Sequence, residues 1–311
     1  MVKIWLFGSV SIACGEGGAM AVAGRCGSLL AYLALGHRRY FSRGELIASL
    51  WPERDASASA GSFNTALWRL RRMIEQPPLK HGDLIVCDRR GAISLDGPVD
   101  LWLDVEEFAR LITPGLTRPP ELMSDADIDG LRRGVALYQS DILLDLADDW
   151  ALREREKHRR HYLNALGRLM QLATIRREYA DGIRHAQAIL DSDALREDVH
   201  RELMQLFVLN GQRAHALRQF ERCRELLRRE LAIQPMRETL ALYQRIADGA
   251  IGAASSTEMG VGFAEPAYAT SMTLPLPVLS QSQAHLLIEA ARRSLASADT
   301  QLQLSLQFLD S

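Results

Sequence analysis

The strongest constraint on this chain is a long amphipathic helix pattern that stops abruptly at two prolines. Four apolar residues recur three or four positions apart and form its apolar stripe: Phe63, Leu67, Leu70 and Ile74. This spacing predicts a helix over residues 57–75 that buries one face. Pro77 and Pro78 forbid its continuation, because proline lacks the backbone N–H and clashes with the preceding turn. The fold must therefore supply partners that cover the stripe and a change of direction after it.

Three earlier segments are candidates for those partners. Apolar and polar residues alternate within residues 2–12, which predicts a strand. Helical spacing over residues 25–35 predicts a first helix. Ser42 and Glu45 form the pattern of a capping box, in which the serine hydroxyl and the glutamate carboxylate cover free backbone amides. This pattern predicts a second helix that runs to Trp51.

The segment after the two prolines carries a hairpin pattern. Residues 84–88 and 92–95 are predicted to form two short strands, and Arg89, Arg90 and Gly91 between them are typical of a turn. The order is then one strand, three helices and a hairpin. This is the order of a winged helix-turn-helix, in which the third helix enters the major groove of DNA and the hairpin forms the wing.

The polar side of the third predicted helix carries the candidate DNA-reading residues. They are Ser62, Asn64, Thr65, Trp68, Arg69, Arg71 and Arg72. Arginine matches guanine with two hydrogen bonds, asparagine pairs with adenine, and hydroxyl groups contact phosphates. Arg89 and Arg90 at the hairpin tip are expected to contact phosphates. Residues 58–95 contain six basic and three acidic side chains, although the whole chain has a net charge of −2. Positive charge is therefore concentrated where DNA is expected.

Composition divides the rest of the chain. Prolines and a glycine within residues 113–120 predict a linker, so the first domain is expected over 1–112. Helical patterns continue almost without a break over 121–250. Because the apolar patterns on the two sides of the linker are separate, each domain is expected to fold alone. Residues 251–311 are rich in Ala, Ser, Thr, Gly and Pro, which predicts a disordered tail with one short amphipathic helix over 284–298.

An internal repeat indicates the kind of helical domain. Residues 179–183 align with 213–217 at an offset of 34 positions, the period of tetratricopeptide helix pairs. The offset grows to 41 between Arg196 and Arg237. The difference predicts that the helix over 213–231 is two turns longer than its counterpart. The expected fold class is therefore mainly α with small β-sheets: an N-terminal winged helix-turn-helix and a C-terminal tetratricopeptide-like α-helical domain.

Few residues suggest chemistry beyond binding. The four cysteines lack the spacing of a zinc site, which is typical of reduced thiols in a cytosolic protein. His158 and His161 share a helix face, but the sequence offers no third ligand nearby, and neighbouring arginines repel a cation. No nucleotide-binding loop, nucleophile elbow or H-E-x-x-H motif occurs. We therefore expect no metal, no cofactor and no enzymatic activity.

Surface properties complete the expectations. No apolar run reaches the roughly 18 residues that a membrane span needs, so a cytoplasmic protein without a membrane partner is expected. Residues 153–157 alternate in charge, which is typical of a salt-bridged helix face. Residues 197–200 are likewise interpreted as a solvated helix face.

The motifs together resemble the antibiotic-regulatory-protein class of bacterial activators, which joins an OmpR/PhoB-type winged helix to a bacterial transcriptional activator domain. In the first domain the resemblance is carried by residues 29–34 (LLAYLA), 42–51 (SRGELIASLW) and 67–72 (LWRLRR). In the second it is carried by residues 131–138, 149–150, 195–204, 210–217 and 230–235. The resemblance covers about residues 1–250. It implies an activator that binds promoter DNA as a homodimer on direct repeats and contacts RNA polymerase.

The chain departs from the family pattern at several positions. Ala66 and Trp68 stand where the recognition helix usually carries polar or basic residues, and Ala194 and Ala232 replace a proline and a glycine. Trp68 either contacts a thymine methyl group or packs under the wing, and both interpretations stay open. The departures also leave a rival hypothesis, a tetratricopeptide-type interaction scaffold whose winged domain docks a protein partner. Sensing of a small molecule by the helical domain is a third hypothesis, although no residue indicates a ligand.

Overall fold

The computed structural model describes residues 1–15, 17–52 and 56–249. Its first part, the winged region, contains in chain order β1 (Val2–Trp5), β2 (Ser11–Cys14), β3 (Met20–Ala21), α1 (Gly24–Leu35), α2 (Arg43–Leu50), α3 (Ala56–Ile74), β4 (Ile85–Cys87), β5 (Ile93–Leu95) and β6 (Leu101–Leu103). The strands form a sheet in the order β3-β2-β1-β6 and a separate β4–β5 hairpin. Strand β1 is antiparallel to β2 and parallel to β6. The three helices and the hairpin thus follow the predicted order.

The second part, the helical region, contains α4 (Asp104–Thr117), a short 3-10 helix (Pro120–Leu122), α5 (Asp125–Leu137), α6 (Asp149–Ile175), α7 (Tyr179–Ser192), α8 (Glu197–Leu209), α9 (Arg213–Leu231) and α10 (Arg237–Ala247). The predicted fold class, mainly α with small β-sheets, is confirmed. Helix α9 has 19 residues against 14 in α7, so the extension is real but shorter than two turns. Within the described residues, no helix is long and apolar enough to cross a membrane. The predicted tail and its short helix lie outside the described residues.

The predicted single strand over residues 2–12 is wrong, because the chain turns back on itself there. Strands β1 and β2 pair antiparallel with Ile4 opposite Ile12. Gly8 lies in the turn with φ +87°, a conformation that glycine adopts without strain. The backbone amides of Leu6 and Phe7 donate to the Asp104 carboxylate at 2.7 and 2.8 Å instead of continuing the ladder. The alternation of apolar residues has the same period in both strands, so it does not reveal the turn.

The second helix begins at the predicted cap, Ser42, but only the serine half of the predicted capping box forms. The Ser42 hydroxyl accepts a hydrogen bond from the Glu45 amide at 3.1 Å. The Glu45 carboxylate pairs with Arg39. Helix α2 ends at Leu50, with Trp51 as its C-cap residue. The four residues of the predicted stripe on α3 are all buried, which confirms that this face is part of the core.

The predicted linker at 113–120 is wrong over its first part, because α4 continues to Thr117. Pro114 lies in the last turn of that helix, where only one helical hydrogen bond depends on its missing N–H. Gly115 lets α5 approach closely: a Cβ there would lie 2.6 Å from Leu131 Cγ. Gly115 therefore serves helix packing, and Pro114 is part of the helix rather than of a flexible connection.

The interpretation of residues 197–200 as a solvated face is also wrong. Glu197 is buried, and its carboxylate accepts hydrogen bonds from the Met236 amide at 2.7 Å and the Thr239 hydroxyl at 2.5 Å. These bonds hold the N-terminus of α10 against α8. His200 is buried between the Ala194 carbonyl and the Gln219 amide, and burial lowers the pKa of its imidazole. Glu197 and His200 thus join α8 to α10 and α9.

One apolar core includes residues of both regions. The prediction that their apolar patterns are separate is therefore wrong. The core of the winged region includes five residues that follow α5 in the chain: Ile142, Leu143, Leu146, Trp150 and Ala151. Backbone hydrogen bonds join Gly8 N to Asp141 O and Leu143 N to Leu6 O, each at 2.9 Å. The Arg155 guanidinium fixes this loop by donating to the carbonyls of residues 142, 143 and 146. Arg155 is therefore a structural residue rather than part of a surface ion-pair row.

Candidate nucleic-acid interface

The exposed side of α3 carries most of the residues predicted to read DNA. The exposed ones are Asn64, Thr65, Trp68, Arg69 and Arg72. Trp68 is 58% exposed, and the Arg72 guanidinium lies over its ring at 5.3 Å. Trp68 therefore does not pack under the wing. Ala66 is buried and its carbonyl accepts a hydrogen bond from the Cys26 thiol, so this departure from the family pattern faces α1 and not the reading surface.

Two polar residues of this face are already oriented by neighbours. The Asn64 Oδ1 atom accepts a hydrogen bond from Arg43 Nη1 at 3.1 Å. The Thr65 hydroxyl donates to the carbonyl of Gly61 at 2.9 Å. Arg43 is exposed at the start of α2, and the sequence analysis did not select it. Ser62 is half-buried.

Arg71 differs from the other predicted residues, because it holds the wing. It is half-buried, and its guanidinium donates to the Ile85 carbonyl and to His81 Nε2, each at 2.9 Å. One turn later, the Glu75 carboxylate accepts hydrogen bonds from the amides of Gly82, Leu84 and Ile85. The C=O of Ile85 is thus bound by Arg71 of α3, and its N–H by Glu75, the residue directly after α3. This double contact fixes the orientation of the wing relative to α3.

The wing presents its two arginines on a tight turn. Asp88 Oδ1 accepts hydrogen bonds from the amides of Arg90 and Ala92, each at 2.8 Å. Gly91 has φ +81°, which the turn requires. Arg89 and Arg90 are both exposed, and no ion pair to either occurs among the described residues. Two free positive charges therefore stand at the tip of the hairpin, as the sequence predicts.

Groups that suggested other chemistry have structural surroundings. His158 is buried, its Nδ1 atom lies 2.9 Å from the Glu154 carbonyl, and burial lowers the pKa of its imidazole. Burial raises the pKa of the Cys14 and Cys26 thiols and raises that of Cys223 to about 12. Thiols with raised pKa values are protonated and weakly nucleophilic near neutral pH. In the part of the chain that the structure describes, no group of three or more His, Cys, Asp or Glu side chains is arranged to hold a metal ion.

Comparison with known proteins connects this geometry to a family. Residues 103–247 match the family model described as bacterial transcriptional activator domain. The regulatory protein AfsR of Streptomyces coelicolor is 26% identical over 256 residues, which are 80% of this chain and 24% of that protein. AfsR of Streptomyces griseus is 24% identical over 221 residues, which are 70% of this chain and 22% of that protein.

Residues 103–247 therefore form a bacterial transcriptional activator domain, which is a domain of transcription regulators and not of enzymes. The whole chain is similar to the AfsR regulatory proteins and spans about a quarter of their length. Among solved structures, Mycobacterium tuberculosis EmbR in complex with a low-affinity phosphopeptide has a similar fold, with a TM-score of 0.65 and 18% identity. The match covers 80% of this chain and 65% of the EmbR chain.

Proposed function

We propose that this activator binds promoter DNA sequence-specifically, with α3 in the major groove and the β4–β5 hairpin on the phosphate backbone. The observation that carries this proposal is the fixed pairing of a cationic α3 face with a wing tipped by Arg89 and Arg90. Because the relative orientation of α3 and the wing is fixed, base-reading and phosphate-contacting groups are held at fixed positions relative to each other.

Within this proposal the residues of α3 have different roles. Arg69 and Asn64 contact base edges, because they extend from the exposed side of the helix and carry the groups that recognise guanine and adenine. Trp68 offers an apolar surface to a thymine methyl group. Arg72 is held over the Trp68 ring and contacts phosphate beside it. Arg71 acts indirectly, by holding the wing.

We further propose that the activator binds as a homodimer on direct repeats and contacts RNA polymerase through the helical region. Repeated helix pairs such as α7–α8 and α9–α10 build extended surfaces suited to proteins. One winged region makes few phosphate contacts, so a second copy on the adjacent repeat raises the affinity.

The test begins with selection of bound duplexes from a pool of fragmented genomic DNA, because the operator is not indicated by the sequence. Arg69→Ala should then weaken binding to the selected duplex by about 1–3 kcal/mol. The double variant R89A/R90A should weaken binding to every duplex about equally and lower the salt slope by roughly one to two. Arg184→Ala, which removes an exposed arginine from α7, is the matched control and should bind as the wild type does.

A second function is favoured by one observation, the exposure of Trp68 on an otherwise polar face. An exposed aromatic residue is a common anchor in protein interfaces, so the winged region is also a candidate docking surface for a protein. The same selection separates the two functions. Retention of no duplex at low salt contradicts DNA binding and leaves the docking function, whereas an unchanged affinity in Arg69→Ala contradicts only the base-reading role of that residue.

A further inference from the structure

Arg25 occupies an unusual position, because it lines two different clefts. The smaller cleft, of about 660 Å³, lies between the start of α1 and the flank of α3 that carries Arg69. The larger cleft, of about 1110 Å³, lies between α1, α2 and the start of α6. The side chain of Arg25 is 48% exposed.

At present Arg25 is held on the side of the helical region. Its Nη1 atom lies 2.9 Å from Asp148 Oδ1, and its guanidinium lies 5.7 Å from the centre of the Trp51 ring. Asp148 is the N-cap residue of α6, but its side chain makes no capping hydrogen bond. The Asp148 carboxylate is therefore committed to Arg25, and the pair joins the helical region to the winged region beside α3.

The smaller cleft has the charge that an anion requires. Arg69 lines it from α3 and, among the described residues, has no ion pair or hydrogen bond. The described residues that line the cleft include no carboxylate. Thr65, with a hydroxyl group, lies on the same wall.

We propose that this cleft holds one phosphate of the DNA backbone on Arg25, with the positive charge of Arg69 on the opposite wall, and that Asp148 competes with the phosphate for Arg25. The proposal rests on the proposed DNA-binding function and adds a regulatory element to it. In free protein the carboxylate on α6 occupies Arg25. On DNA the guanidinium turns to the phosphate, and the link between the helical region and α1 opens. A change at the start of α6 therefore alters DNA affinity without touching the reading face.

The test measures affinity and salt dependence for full-length variants on one selected duplex and one unrelated duplex, by fluorescence anisotropy. Asp148→Asn removes the competing charge and should bind both duplexes roughly two- to fivefold more tightly, the range that an exposed ion pair spans. Arg25→Ala should bind more weakly, with a salt slope lower by about one, because one phosphate contact is lost. The double variant R25A/D148N should behave like Arg25→Ala.

The control is Asp181→Asn, which removes the same charge from an exposed ion pair with Arg184 on α7. It should leave both affinities unchanged. If Asp148→Asn lowers the melting temperature, Asp148→Ser replaces it, because serine keeps the N-cap preference without the charge. Equal or weaker binding by the charge-free variant, or a gain no larger than that of the control, overturns the competition. An unchanged salt slope in Arg25→Ala overturns the phosphate contact. Failure of the wild type to bind any duplex contradicts the proposed function itself.

Discussion

The winged region and helices α7–α10 differ in how far along the chain their packing partners lie. In the winged region, β1 pairs with β6, so Val2 lies opposite Leu101, and the core is completed by residues 142–151. In the repeat helices, α7 packs on α8, α8 on α9 and α9 on α10. The repeat helices therefore depend on neighbours in sequence, whereas the winged region depends on the helical region. The winged region is the less autonomous of the two.

The strongest test of this difference is truncation. A fragment of residues 1–117 lacks Ile142, Leu143, Leu146 and Trp150, and each large apolar side chain is worth about 1.5–3 kcal/mol when buried. Their sum is comparable with the whole stability of a typical domain, so this fragment should show no cooperative thermal transition by circular dichroism. A fragment of residues 149–249 should retain one. A transition of the 1–117 fragment near the melting temperature of the full chain would show that the shared core is dispensable.

The contact of Asp104 with Leu6 and Phe7, which joins the two regions, can be tested through the pH dependence of stability. Its carboxylate is buried and bound to the amides of Leu6, Phe7 and Val105, and burial raises its pKa from 3.8 to about 6. Because the folded pKa is the higher one, the stability it contributes is complete below about pH 4 and is lost as the pH rises through 6. The shift corresponds to about 3 kcal/mol.

The variant Asp104→Asn isolates this effect, because an amide does not titrate. Its stability relative to the wild type should rise by about 3 kcal/mol between pH 4 and pH 7 in urea unfolding. The altered hydrogen bonding of the amide adds an offset that is constant with pH. If the difference in unfolding free energy between the variant and the wild type does not change with pH over this range, the Asp104 carboxylate is not desolvated in the folded protein.

A smaller effect compares one carboxylate from each region. Glu75 fixes the wing through three amides, and Glu197 fixes α10 through Met236 and Thr239. Each replacement by alanine leaves buried donors without a partner and should cost about 2 kcal/mol. Glu75→Ala should also weaken DNA binding, because the wing loses its fixed orientation, whereas Glu197→Ala should leave DNA binding unchanged. Equal effects of the two variants on DNA affinity would remove the proposed role of the wing contact.

The same difference explains what the sequence could predict. The stripe on α3, the Ser42 cap, the turn at Gly91 and the 34-residue repeat are signals that lie within a few residues or recur at a fixed period. The β1–β2 turn is bound by Asp104, which lies far along the chain. The part of α4 that contains Pro114 packs through Gly115 against Leu131, which lies on another helix. Arg71 and Arg69 look alike in the sequence. The structure distinguishes them, because Arg71 donates to the Ile85 carbonyl and holds the wing, whereas Arg69 stays exposed.

The pairing of β1 with β6 and the contribution of residues 142–151 to the same core set an order on biosynthesis. A ribosome extends the chain from its N-terminus, so the sheet cannot close before residue 103 has emerged. The core beneath the reading helix stays open until residue 151 is also available, which is about half of the chain. A nascent or prematurely terminated product shorter than this would carry every candidate DNA-reading residue and still lack the framework that holds them. The proposed DNA-binding surface is thus not assembled before the start of α6, with Asp148, has been made.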